Sequence, residues 1–144
     1  MEEDRFGSTI EEAARLLEEK EKSLGPDDLE IGSRLHHLAN LYSSQRDFSN
    51  AEQLYDRLLK FYERVFGPEH LQTAKIALNG LASLYNEMGE YERAVAHCER
   101  TVKILERGGE LEQEDYAFTA TNLALLYKRQ GDYQRAEPLL AQAL

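Results

Sequence analysis

Leu81-Ala82-Ser83-Leu84-Tyr85, followed by Gly89-Glu90-Tyr91 and Ala94, sets the architecture of this chain, because the same skeleton occurs three times. Upstream it reads Leu38-Ala39-Asn40-Leu41-Tyr42, then Asp47-Phe48 and Ala51. Downstream it reads Leu123-Ala124-Leu125-Leu126-Tyr127, then Gly131-Asp132-Tyr133 and Ala136. The period of 42 to 43 residues is that of stacked supersecondary units rather than of one globular core. Within a copy, Leu78, Leu81, Ala82 and Tyr85 fall within roughly a third of the circumference of a helix with 3.6 residues per turn, so they form one buried stripe.

The spacing large-x2-Leu-small-x2-Tyr, then Ala-x3-large, resembles the tetratricopeptide pattern, with Leu or Ala at the usual Trp place and Ala at the usual Gly place. The small Ala lets a second helix approach closely. Gly89 and Gly131 supply the left-handed backbone that ends the first helix. At the matching place in the first copy stands Arg46, which is expected to be strained there, or to be followed by Asp47 acting as the cap of the next helix.

Composition narrows the function classes. The chain has 144 residues, is 42% apolar and lacks an apolar run of bilayer-spanning length, which describes a soluble single domain without a membrane role. Its acidic N-terminus is unlike the positive start of a signal peptide. One cysteine, Cys98, at an interior position of the helical pattern, fits a reducing compartment, and a cytoplasmic location is expected. The net charge of -10 argues against a nucleic-acid partner and against anionic lipid. It is uneven: residues 1–30 hold 11 acidic and 4 basic side chains, a net of -7.

The whole of 1–144 reads as a single repeat domain. An N-terminal half-unit helix occupies 8–24, opened by the capping box Ser8-x-x-Glu11 and stopped by Gly25-Pro26. Repeat 1 is 29–66, with helices over 29–44 and 49–65. Repeat 2 is 71–107, with helices over 71–88 and 92–107, and its exit through Gly108-Gly109 is less rigid than a Gly-Pro stop. Repeat 3 is 113–144, with helices over 113–129 and from Tyr133 onward, and Pro138 belongs to the first turns of the latter. The C-terminal pattern Leu139, Leu140, Ala143, Leu144 is still apolar, so repeat 3 reads as truncated and self-association through that end is expected. Fold class is accordingly all-α: a tetratricopeptide-repeat right-handed superhelix, an α-solenoid of antiparallel helix pairs with about seven helices.

Leu24-Gly25-Pro26-Asp27, Phe66-Gly67-Pro68-Glu69-His70, Asn122-Leu123-Ala124-Leu125-Leu126-Tyr127 and Gln130-Gly131-Asp132-Tyr133 resemble the long-repeat tetratricopeptide domain of kinesin light chains. Departures are Leu29 and Leu71 near the family's usual linker Pro, and His36-His37 and Asn79-Gly80 in place of paired Asn. The resemblance implies a concave face lined by the first helix of every unit. By helical phase that face is Ser33, His36, Asn40, Ser43 and Ser44 in repeat 1, Ile76, Asn79, Ser83, Asn86 and Glu87 in repeat 2, and Phe118, Thr121, Leu125, Lys128 and Arg129 in repeat 3. Asn79 and Asn86 each have a donor and an acceptor for a peptide backbone. Ile76, Phe118 and Leu125 suit an apolar anchor, and Lys128 with Arg129 suit a carboxylate.

These residues point to a protein-interaction module that holds a peptide segment of a partner in the groove, of scaffold or cargo-adaptor type. The alternative is a homo-oligomerisation or structural assembly domain acting through stack ends or convex helices. An enzyme is not expected: there is no Gly-rich phosphate loop, no metal-ligand spacing and no shielded acid-base pair, so no cofactor is predicted. His36, His37, His70 and His97 are too scattered for a metal set. His97 and Cys98 point about 100° apart and cannot face one target. Cys98, Tyr42, Tyr85 and Tyr127 read as packing residues.

Overall fold

The computed structural model describes residues 9–107 and 113–143, and their regular structure is entirely helical. Among the described residues there are seven α-helices: α1 (Ile10–Ser23), α2 (Leu29–Ser44), α3 (Phe48–Val65), α4 (Asn79–Met88), α5 (Tyr91–Arg107), α6 (Gln113–Arg129) and α7 (Tyr133–Ala143). A π-helical stretch, Thr73–Leu78, leads directly into α4. The chain divides into two compact units between Gly67 and Pro68.

In the first unit, α1 packs on α2 and α2 on α3. Thr9 caps α1 by accepting from the Glu12 amide at 3.1 Å, one residue later than the expected Ser8 box; Ser8 itself lies outside the described residues. Glu11 and Glu12 in the first turn and Lys20 and Lys22 in the last complement the helix dipole. The helix ends on Leu24 in extended backbone, whose amide still reaches the Lys20 carbonyl. Asp28 caps α2, accepting from the Glu30 amide at 2.9 Å. Gly32 allows α3 to come close, since a Cβ there would stand 2.7 Å from Phe61 Cε1. Both expectations for the α2–α3 turn hold: Arg46 has φ 62, and Asp47 accepts from the Asn50 amide at 3.3 Å to cap α3.

In the second unit, α4 packs on α5, α5 on α6 and α6 on α7. The small residues of the stripe, Ala82 and Ala124, are buried, as is Ala39 in the first unit. Tyr85 and Tyr127 are core residues as expected, whereas Tyr42 is only half-buried. The Tyr85 ring stacks on His97 at 5.5 Å with planes 6° apart, and the Arg93 guanidinium also lies 5.5 Å from it. Tyr127 lies under Arg135 at 5.8 Å and donates its hydroxyl hydrogen to Glu99. Pro138 falls in the second turn of α7, past the positions whose amides are orphaned anyway, so this helix lacks the ladder bond to the Gln134 carbonyl. Gly108, Gly109 and Leu144, on which the expected loose exit and the apolar C-terminus partly rest, lie outside the described residues.

Candidate functional site

A cleft of about 240 Å³ opens in the second unit. One side comes from α4, with Asn79, Ser83, Asn86 and Glu87; the other comes from α6, with Phe118, Asn122, Leu125 and Arg129. The buried side chains of Ala82, Leu126 and Cys98 form its floor. α4 packs on α5 through the stripe that buries Leu81 and Tyr85, and the neighbouring arc of α4 lines the cleft. Phe118 is 64% exposed and Leu125 49%. Two large apolar side chains left this open beside three asparagines make an amphipathic wall.

The polar groups are partly committed. Arg129 Nη1 donates to Asn86 Oδ1 at 3.0 Å, and its guanidinium lies 5.4 Å from the Tyr91 ring. Asn86 therefore offers the cleft its amide donor rather than both functions. Asn79 Nδ2 reaches back to the Lys75 carbonyl at 3.4 Å, which leaves its Oδ1 as an acceptor. Burial first, then the charge of Glu99, pushes the Cys98 thiol up to about 11. A thiol in that state is protonated and inert at neutral pH. His97 is no base for it, since the two neighbouring side chains point about 100° apart round the helix and the imidazole lies stacked on Tyr85.

Of the residues expected on the concave face, Asn79, Ser83, Asn86, Glu87, Phe118, Leu125 and Arg129 line this one cleft. Ile76 is half-buried and lies outside its lining, as do Thr121 and Lys128. Thr121 turns its hydroxyl into its own helix, donating to the Ala117 carbonyl at 2.7 Å. Asn122 is a lining residue that sequence reasoning missed. It stands four residues after Phe118, about 40° round the helix on one side, whereas Thr121 and Lys128 stand about 60–80° round on the other. The arc of α6 that meets α4 is thus turned from the one read by phase alone.

In the first unit, Ser33 and Asn40 are exposed on α2, His36 and Ser43 are half-buried, and Ser44 donates to the Leu41 carbonyl at 2.8 Å. Asn40 accepts the hydroxyl hydrogen of Tyr55. His36 lies 6.3 Å from the Tyr55 ring, and burial, then the neighbouring His37, lowers its pKa. Among the described residues no group of His, Cys, Asp and Glu is arranged to hold a metal ion, and no helix is long and apolar enough to cross a membrane.

Family models of the tetratricopeptide repeat match residues 32–72 and 74–144. Among solved structures, the chain is similar to BtubC (BKLC) from P. vanneervenii, at 26% identity and a TM-score of 0.82, over 93% of this chain and 55% of that one. It is also similar to the nearly identical TPR-like repeats of a Podosopora anserina chain assigned as a kinesin light chain, at 25% identity and a TM-score of 0.77, over 93% of this chain and 65% of that one. The present chain therefore spans less than two thirds of either structure.

Proposed function

Because the chain belongs to the tetratricopeptide repeat family, with repeats like those of kinesin light chains, we propose that it is a scaffold or cargo-adaptor module whose cleft between α4 and α6 holds a peptide segment of a protein partner. One observation carries this reading: Phe118 and Leu125 stand exposed in the same cleft as Asn79, Asn86 and Asn122. An extended segment has an unpaired N–H and C=O at every residue. The acceptor of Asn79 and the donor of Asn86 satisfy one of each, while the apolar wall covers a side chain. Binding of this kind is selective for shape more than for charge, since Arg129 is already engaged by Asn86 and Tyr91. A single, buried, protonated thiol suits a cytoplasmic setting.

The test uses dodecapeptides selected on the native chain from a random display library. Phe118→Ser and Asn86→Ala are expected to weaken the selected peptides by about 1 to 3 kcal/mol each, with little change in the thermal midpoint. Lys103→Glu, on the exposed face of α5, is expected to have no effect. Loss of binding in Lys103→Glu with retention in the two cleft variants would place recognition on the other face. Concentration-dependent mass that survives both cleft substitutions would favour assembly of copies as the function.

A further inference from the structure

Asn86 stands five residues beyond the stripe Leu81, and Arg129 six residues beyond the stripe Leu123. The same two places hold Ser43 and Ser44 in repeat 1, so the pair that Asn86 and Arg129 form has no counterpart in type there. A guanidinium has donors only, and the atom of Asn86 that meets Arg129 Nη1 at 3.0 Å is accordingly Oδ1. The amide nitrogen is then the group of Asn86 left for a ligand. At Asn79 the same logic gives the reverse. Its partner, the Lys75 carbonyl, only accepts, so Nδ2 meets it at 3.4 Å and Oδ1 is left.

The contact between Arg129 and Asn86 adds little to the fold. Arg129 is exposed and Asn86 half-buried, and water replaces a hydrogen bond in such a place at small net cost. Its effect is on orientation. A side-chain amide without a partner turns about its last torsion and presents oxygen or nitrogen at similar cost. Arg129 removes that choice at Asn86, and its own placement is favoured by the Tyr91 ring, 5.4 Å away and outside the cleft lining. Asn79 and Asn86 are seven residues apart on α4, about 10.5 Å along its axis. One edge of an extended segment shows N–H and C=O groups in turn, and a slide of one residue sends each to the opposite edge. Two amides of fixed and opposite polarity therefore accept fewer registers than two that can turn.

We infer that Arg129 is a positioning residue for recognition: through Asn86 it makes one end of the cleft a reader of carbonyl groups, opposite the Asn79 end, which reads N–H groups, and so sets the register of the partner segment. The inference rests on the peptide-binding reading of the cleft. It gives Arg129 a role other than an ion pair with a carboxylate of the partner.

The experiment takes dodecapeptides that are selected on the native chain and lost in Phe118→Ser, and measures them by calorimetry against variants of the pair. Arg129→Met is expected to weaken them about tenfold. Arg129→Lys, which keeps a donor for Oδ1, is expected to weaken them by about threefold or less. In an Asn86→Ala background Arg129→Met is expected to change nothing further, because an effect passed through Asn86 ends with it. Asn86→Asp keeps an acceptor for Arg129 and has no donor, so it is expected to hold the thermal midpoint and to lose the peptides at least as far as Asn86→Ala does. Native affinity in Asn86→Asp or in Arg129→Met overturns the inference and leaves the cleft reading standing on Phe118. Equal weakening by Arg129→Met in both backgrounds also overturns it, as does binding that depends on an Asp or Glu of the peptide and is lost in its amide counterpart, since Arg129 then meets the partner itself. An Arg129→Met midpoint lower by more than about 4 °C makes the arginine a structural tie and overturns the inference alone. A library without a Phe118-dependent binder sinks both readings.

Discussion

Arg46 occupies the backbone state that glycine holds in the other two repeats. Its φ is 62, against 79 for both Gly89 and Gly131. The hydrogen bonds around the three are the same. The amide of the following residue donates to the carbonyl of the repeat tyrosine, Asp47 to Tyr42 at 2.9 Å, Glu90 to Tyr85 at 2.9 Å and Asp132 to Tyr127 at 2.8 Å. This closure ends each first helix in a left-handed residue, and an L side chain is disfavoured there by about 1–2 kcal/mol. The Arg46 guanidinium recovers part of that over the Phe48 ring at 5.0 Å. Arg46→Gly is therefore expected to raise stability by up to about 1 kcal/mol, net of glycine's greater freedom in the unfolded chain. Gly89→Ala is expected to lower it by about 1 kcal/mol, and by backbone strain alone, since a Cβ there meets nothing within 4 Å. Urea denaturation midpoints check both; an Arg46→Gly chain less stable than native would show that the Phe48 contact outweighs the strain.

At the scale of the helix, stability follows burial of the repeated stripe. Leu81 is fully buried between helices of the second unit, whereas Leu139 on α7 is only half-buried. Leu81→Ala is expected to cost on the order of 2 to 5 kcal/mol and Leu139→Ala clearly less; equal losses in denaturant unfolding would contradict the ordering. The helices were legible because their signals are local: the stripe Leu78, Leu81, Ala82, Tyr85 fixes a face, and Gly89 and Gly131 fix the stops. The same reasoning returned a plain helix over 71–88, since nothing local to Thr73–Leu78 marks a π turn. The mark is a comparison, one residue more between Gly-Pro and Leu in repeat 2 than in repeat 1. Likewise phase marks Thr121 and Lys128, which lie outside the cleft lining, and passes over Asn122, which is part of it, because phase gives a face of one helix, while a cleft is defined by two helices together. Asn86 and Arg129 stand one repeat apart, but their hydrogen bond joins side chains of two neighbouring units, which the phase of a single helix does not give.

For the molecule as a whole, pH acts on stability through few groups and against a background of net charge -10. His97 has its pKa lowered by burial and then by Arg100, and His36 by burial and then by His37. Each folded state thus favours the neutral imidazole. The stability this represents is complete above the ordinary histidine value of 6.5 and is lost as pH falls through the lowered folded value. On the alkaline side the sign reverses. Cys98 is raised from 9.0 to about 11 by burial and then by Glu99. Tyr127 is raised from 10.0 to about 12 by burial, then by its hydrogen bond to Glu99. The stability tied to these neutral forms is complete below 9 and 10 respectively and is lost toward 11 and 12. Approach to the pI of about 4.9 relieves self-repulsion and works against the histidine effect, so the bare profile mixes the two. A variant separates them: His97→Phe keeps a ring against Tyr85 and removes the proton site. The thermal midpoint is expected to fall less between pH 7 and pH 5 for His97→Phe than for the native chain, and between pH 9 and pH 11 less for Cys98→Ala. Parallel acid limbs for native and His97→Phe would show that relief of charge repulsion, and not the buried imidazole, governs the acid response.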